Sequence, residues 1–143
     1  MNILIVESRF FPAVADTLAD GATLALERGG ARFERFSVPG VLELPAAIAI
    51  AAQGKRGFDG YVALGCVLTG TAVAPTLFAE TLRGLVALGG TGLALGHGVV
   101  LAEDEDAAIR VAQDQDAGGD AARAALALAV LRQRLTPVHE GKT

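Results

Sequence analysis

Short apolar runs alternate along this chain with stretches whose apolar residues recur at helical spacing, and that alternation predicts the fold before any single residue is weighed. Asn2 to Glu7 carries Ile3-Leu4-Ile5-Val6, a run suited to a strand buried on both faces of a parallel sheet. Ser8-Arg9-Phe10-Phe11-Pro12 turns the chain, with the proline placed for a first helical turn. From Val14 to Arg28 the residues Val14, Leu18, Ala22, Ala25 and Leu26 share one helical face, and Gly29-Gly30 stops it. Ala31 to Val38 alternates apolar with charged residues, the mark of an edge strand. Glu43 to Gln53 predicts an alanine-rich helix, and Gly54 to Gly57 a surface turn. Tyr61 to Val67 follows as a second buried strand, Pro75 to Leu88 as a third helix and Gly92 to Leu101 as a fourth strand. Asp104 to Gln113 opens with an acidic helical turn, Asp114 to Gly119 reads as a polar loop, and Asp120 to Arg134 as a long amphipathic helix. The order β-α-β-α-β-α-β-α-α calls for an α/β fold, a parallel sheet between helices on both faces. One domain over residues 1–135 and a tail over 136–143 are expected.

Composition narrows the picture. Apolar residues make up 52% and the mean hydropathy is +0.45, which for 143 residues predicts apolar surface buried between subunits. Aromatics are only 5%, so Ala, Val, Leu and Ile must fill the core. A formal net charge of -4 without any Lys/Arg cluster excludes nucleic acid as a partner. The single cysteine makes no internal disulfide, which fits a reducing cytoplasmic setting. No basic leader precedes the first strand and no apolar run approaches a membrane span of roughly 18 residues, so no membrane partner is expected.

Candidate chemistry concentrates where strands end. Tyr61 to Pro75, Y-V-A-L-G-C-V-L-T-G-T-A-V-A-P, is a strand, a glycine-bounded turn and a helix start. Unpaired N–H groups and the helix dipole let such a turn hold an anion, and ligands of open α/β sheets bind at these strand ends. The spacing of Gly65 and Gly70 matches a nucleotide-binding loop, but Thr71-Ala72 stands where Lys-Ser/Thr is required. Gly90-Thr91-Gly92 precedes a strand and is no dinucleotide fingerprint. Three turns should meet at one edge: residues 8–11, 38–43 and 65–71. Glu43 is either a ligand contact or a first-turn carboxylate, and Cys66 reads first as a small core residue. Glu103 to Asp106 reads as helix-dipole partners rather than a metal site, so no metal is expected. His139 lies in the tail and should be solvent-exposed. The Pro75 to Leu88 helix carries more apolar surface than one sheet-facing stripe needs, which favours a neighbouring subunit against it.

These turns carry a resemblance. I-V-E-S-R-F at 5–10, V-P-G-V-L-E-L-P at 38–45, A-L-G-C-V at 63–67 with Gly70 after it, and A-A-R-A-A-L-A-L at 121–128 are similar to the lumazine synthase family of riboflavin biosynthesis, in its order and spacing. The resemblance implies a flavodoxin-like, three-layer α/β/α sandwich on a four-stranded parallel sheet, assembled with itself as a homopentamer or a larger shell. It implies sites between neighbouring subunits that condense a ribitylamino-pyrimidinedione with a four-carbon hydroxyketone phosphate, without metal or organic cofactor. On that pattern Phe10 stacks on the pyrimidine, and Val41, Leu42 and Glu43 hold the ribityl chain. Cys66, Val67 and Leu68 give backbone contacts to the ring, and Gly70, Thr71 and Ala72 cradle the phosphate. His97 falls where the family often places an aromatic or asparagine beside the pyrimidine; a ring contact, a strand-end histidine and a substitute proton carrier are its three readings. The family's proton-transfer histidine falls on Ala74, the arginine before its glycine on Thr69, and its phosphate-side lysine and arginine on Asp120 and on Val111 or Ala112. Arg110 lies one residue out of register. No catalytic residue is therefore carried over. A carboxylate about 5 Å from a phosphate costs roughly 3 kcal/mol per unit charge at an effective dielectric near 20, against about 0.3 to 1 kcal/mol gained from a helix terminus. Asp120, if it faces the phosphate, makes that binding poor. The alternative to the synthase is a non-catalytic self-assembling paralogue or engineered shell subunit, and a paralogue that grips a flavin-like ring lies between the two.

Overall fold

The computed structural model describes residues 1–136. Its strands are β1 (Asn2–Ser8), β2 (Arg32–Val38), β3 (Gly60–Leu68) and β4 (Leu95–Ala102). Its helices are α1 (Pro12–Arg28), α2 (Glu43–Gln53), α3 (Ala74–Gly89), α4 (Glu105–Asp114) and α5 (Ala117–Leu135). All strand pairs are parallel, in the order β2-β1-β3-β4, so the alternating strand at residues 32–38 is an edge as its charged positions require. Successive strand side chains point to opposite faces. Ile3, Ile5, Val62 and Leu64 therefore meet α1, α4 and α5 on one side, while Leu4, Val6, Ala63 and Val67 meet α2 and α3 on the other. The molecule is a three-layer α/β/α sandwich, and all four strands deliver their carboxyl ends to one edge.

The first four helices start within two residues of expectation; α5 differs. Its first turn begins at Ala117, and Gly118 and Gly119 lie inside it rather than in a loop. Asp116, in the left-handed region at φ 48, caps this turn by accepting from the Gly119 N–H at 3.3 Å. A Cβ on Gly118 would stand 1.9 Å from the Leu18 carbonyl oxygen, and one on Gly96 would stand 2.0 Å from that of Ala121. Bare glycine faces are what let α5 lie directly on α1 and β4. The strand at residue 92 also starts later than its apolar run suggests, because Gly92 sits at φ 97 and still belongs to the turn. His139 and the expected tail lie outside the described residues, apart from Thr136.

Candidate functional site

Four strand-end turns, one more than the sequence brought together, enclose a largely apolar cavity of about 640 Å³ at the carboxyl edge of the sheet. From the first come Ser8, Phe10 and Phe11. Phe10 is 71% exposed, held edge-on by Phe11 with ring centroids 5.0 Å apart, so its face is free to stack on a ligand. The turn beneath it is pinned by charge. Glu7, buried in β1, accepts from Arg9 at 2.7 Å and from Arg35 of β2 at 2.7 and 3.1 Å, and Arg9 also bonds Asp16 of α1. These carboxylates hold both guanidinium groups above their ordinary pKa, Arg9 chiefly through Asp16 and then Glu7, Arg35 chiefly through Glu7.

The second turn contributes Gly40, Val41, Leu42 and Glu43. Glu43 Oε1 accepts from the Gly40 N–H at 2.9 Å, so the carboxylate braces the turn while it lines the cavity. Leu42 stands exposed beside it, whereas Val41 is buried and would meet a Cβ on Gly65 at 2.7 Å, which ties the second turn to the third. The third supplies Cys66, Val67, Leu68, Gly70 and Thr71, then Ala74 and Leu77 from α3. Burial pushes the Cys66 thiol up to about 11, with Glu105 adding to the shift, so at neutral pH it is a protonated apolar wall and not a nucleophile. The helix start is a weak anion cradle: no side chain caps α3, the Ala74 N–H is spent on the Thr71 carbonyl at 3.2 Å, and Pro75 has no N–H to offer. The fourth turn brings Glu103, Asp104 and Glu105, of which Asp104 caps α4 by accepting from the Ala107 N–H at 2.8 Å.

Phe10, Val41, Leu42, Glu43, Cys66, Val67, Leu68, Gly70 and Thr71 thus converge as the sequence reading expects. Ala72 is exposed on the same turn but does not line the cavity. His97 is elsewhere: it lies within β4 opposite Ala63, not at a strand end, and borders a second cavity of about 420 Å³ with Val111, Gln115 and Asp120. The residue is exposed in the single copy, its Nδ1 accepts from the Val99 N–H at 3.4 Å, and the part of the ring covered by protein shifts its pKa downward. Asp120 is bonded to Arg123 at 2.6 Å and does not border the first cavity. Glu103, Asp104 and Glu105 line the cavity beyond the residues expected from the sequence, and the strand-turn-helix order that marks residues 65–71 also holds at 102–105. The main cavity has no Lys, Arg or His among its lining residues. It can stack a ring on Phe10 and hydrogen-bond it through the backbone groups of its turns. No helix among the described residues is long and apolar enough to cross a membrane.

Comparison with known proteins adds to this geometry. Residues 1–133 match the family described as 6,7-dimethyl-8-ribityllumazine synthase. The chain is 45% identical over 136 residues to the 6,7-dimethyl-8-ribityllumazine synthase of Sphingopyxis alaskensis, with 93% of this chain and 96% of that protein covered. It is 42% identical to the enzyme of that name from Bartonella tribocorum, with 93% and 91% covered. With 6,7-dimethyl-8-ribityllumazine synthase 1 of Rhizobium meliloti it shares 45% identity, with 94% of each chain covered.

Proposed function

The chain belongs to the 6,7-dimethyl-8-ribityllumazine synthase family, and from that premise we propose that it condenses 5-amino-6-ribitylamino-pyrimidinedione with 3,4-dihydroxy-2-butanone 4-phosphate. The observation that carries the proposal is the cavity itself, whose open Phe10 face, backbone-rich third turn and Glu43 wall suit a pyrimidine bearing a polyol. Phe10 stacks on the ring, residues 66–68 contact it through their backbone, and residues 41–43 receive the ribityl chain. Gly70, Thr71 and Ala72 lie toward the ketone. With Ala74 at the start of α3, rate comes from holding two reactants together, an effect worth about 7 to 11 kcal/mol when alignment is good.

The site is shared between subunits in this reading. His97, Val111 and Asp120 border a separate cavity on the β4 side, and they would complete the Phe10 cavity of a neighbouring copy. Exposed Val73 just before α3, Val86 on α3 and Ile50 on α2 supply apolar surface for that contact, which supports a homopentamer or larger assembly. Residues 1–135 act as its single folding unit.

The test follows lumazine absorbance and fluorescence with both substrates, with particle mass from the same sample. Turnover above the uncatalysed condensation, cut at least tenfold in Phe10→Ala through a raised KM for the pyrimidine, is expected. A well-formed assembly without turnover would assign the fold to binding or scaffolding instead.

A further inference from the structure

The electrostatics of the cavity point to a ligand class narrower than the shape alone would admit. Its charged lining groups are all acidic: Glu43 on the α2 side and Glu103, Asp104 and Glu105 on the α4 side. They come from helix starts on different faces of the sheet, so the negative charge is not confined to one turn of the cavity. None of the four bonds a basic side chain among the described residues, and Glu43 and Asp104 only accept from backbone N–H groups. Arg9, the cation next along the chain to Phe10, is already held by Glu7 and Asp16. Of the helix starts at this edge, which favour an anion, those of α2 and α4 already carry the carboxylates of Glu43 and of Asp104 and Glu105, and that of α3 has its Ala74 N–H engaged and a proline in its first turn. The second cavity, which would face the first across a subunit boundary, has no Lys or Arg among its lining residues; its Asp120 is held by Arg123 and its histidine is biased toward neutrality.

We infer that this site recognises an uncharged ring with its polyol and discriminates against a phosphate monoester on the same ligand. The inference rests on the ring-binding cavity proposed above and concerns its ligand: the ring and its polyol are bound, and a phosphate at the end of the polyol, on the side of residues 41–43, is disfavoured. Like charges in a partly dry cleft repel more strongly than in water, and added salt screens them.

Riboflavin and its 5′-phosphate test this directly, because they share ring and ribityl chain and differ by the phosphate alone. Fluorescence titrations of each against the assembled protein at 20 mM and 300 mM NaCl should show riboflavin bound about tenfold more tightly at low salt, with the gap narrowing at high salt. A Glu43→Gln, Glu103→Gln, Glu105→Gln variant, which leaves the Asp104 cap in place, should gain affinity for the phosphate form over riboflavin; unchanged circular dichroism and particle mass certify its fold. Equal or tighter binding of the phosphate form by the unaltered protein would overturn the inference and leave the ring site standing. Binding of neither flavin would overturn the ring site, and the inference with it.

Discussion

Glu7 shows how one buried charge can organise a binding turn. It is 2% exposed in β1, yet its two oxygens receive Arg9 and Arg35, and through Arg9 it fixes the backbone that presents Phe10. Replacing it by Gln keeps the shape and removes the charge, leaving two guanidinium groups short of a partner. Glu7→Gln should lower stability by about 1 to 3 kcal/mol, read from the urea midpoint, and should weaken ring binding beyond what the lost stability explains. His97 acts through pH. Its folded pKa lies below the ordinary value, so the unfolded chain binds the proton more readily, and stability is lost as pH falls from the unfolded value near 6.5 through the lower folded one. Melting temperatures between pH 7 and pH 5 should fall less in His97→Asn than in the parent, and an equal fall would show that the acid sensitivity lies elsewhere.

At the scale of elements, α5 is fixed by contact rather than by propensity. Gly118→Ala has no room before the Leu18 carbonyl, which is backbone and cannot swing aside, so α5 would have to lift from α1. A loss of about 2 to 3 kcal/mol is expected, against a stabilising trend for the same change in an exposed helix, and thermal unfolding distinguishes them. This contact also marks where the sequence stopped being legible. Strands such as Ile3-Leu4-Ile5-Val6 could be read because a sheet covered on both faces needs continuous apolar runs. Gly118-Gly119 could not be read as helix, since Gly118 answers to Leu18 on a distant helix and Gly119 to the side chain of the capping Asp116. The site divided in the same way. Phe10, Glu43 and the turn at residues 66–71 could be placed because each follows a strand, and all strand ends of a parallel sheet face one edge. Which cavity His97 and Asp120 border depends on the direction of side chains on β4 and α5, and the order of residues does not carry that.

Across the whole molecule the two sides of the sheet are unlike. α1, α4 and α5 bury small residues closely on one side, with Ala22, Ala122 and Ala125 fully covered. On the other, Val73 before α3 and Val86 on it stand at 65% and 71% exposure, surface that suits another copy of the chain. Val86→Asp should leave the protomer folded, because the side chain projects into solvent within one copy, and should shift the assembly toward smaller particles by mass photometry. Unchanged particle mass would move the interface to the exposed Leu128, Leu131 and Leu135 of α5.

The direct seating of α5 on α1 bears on how such a chain can change over generations. Substitutions at Gly96 or Gly118 strike the packing at once, so variation there is removed whatever the protein does. The turn that leads into α3 belongs to the other side, where Thr71 and Ala72 are exposed and chemistry can be lost or rebuilt with the sandwich intact. A saturation library sorted twice, first for soluble assembly and then for lumazine formation, should separate these two regions: intolerance at the glycines in both sorts, and intolerance at residues 70–72 in the second alone.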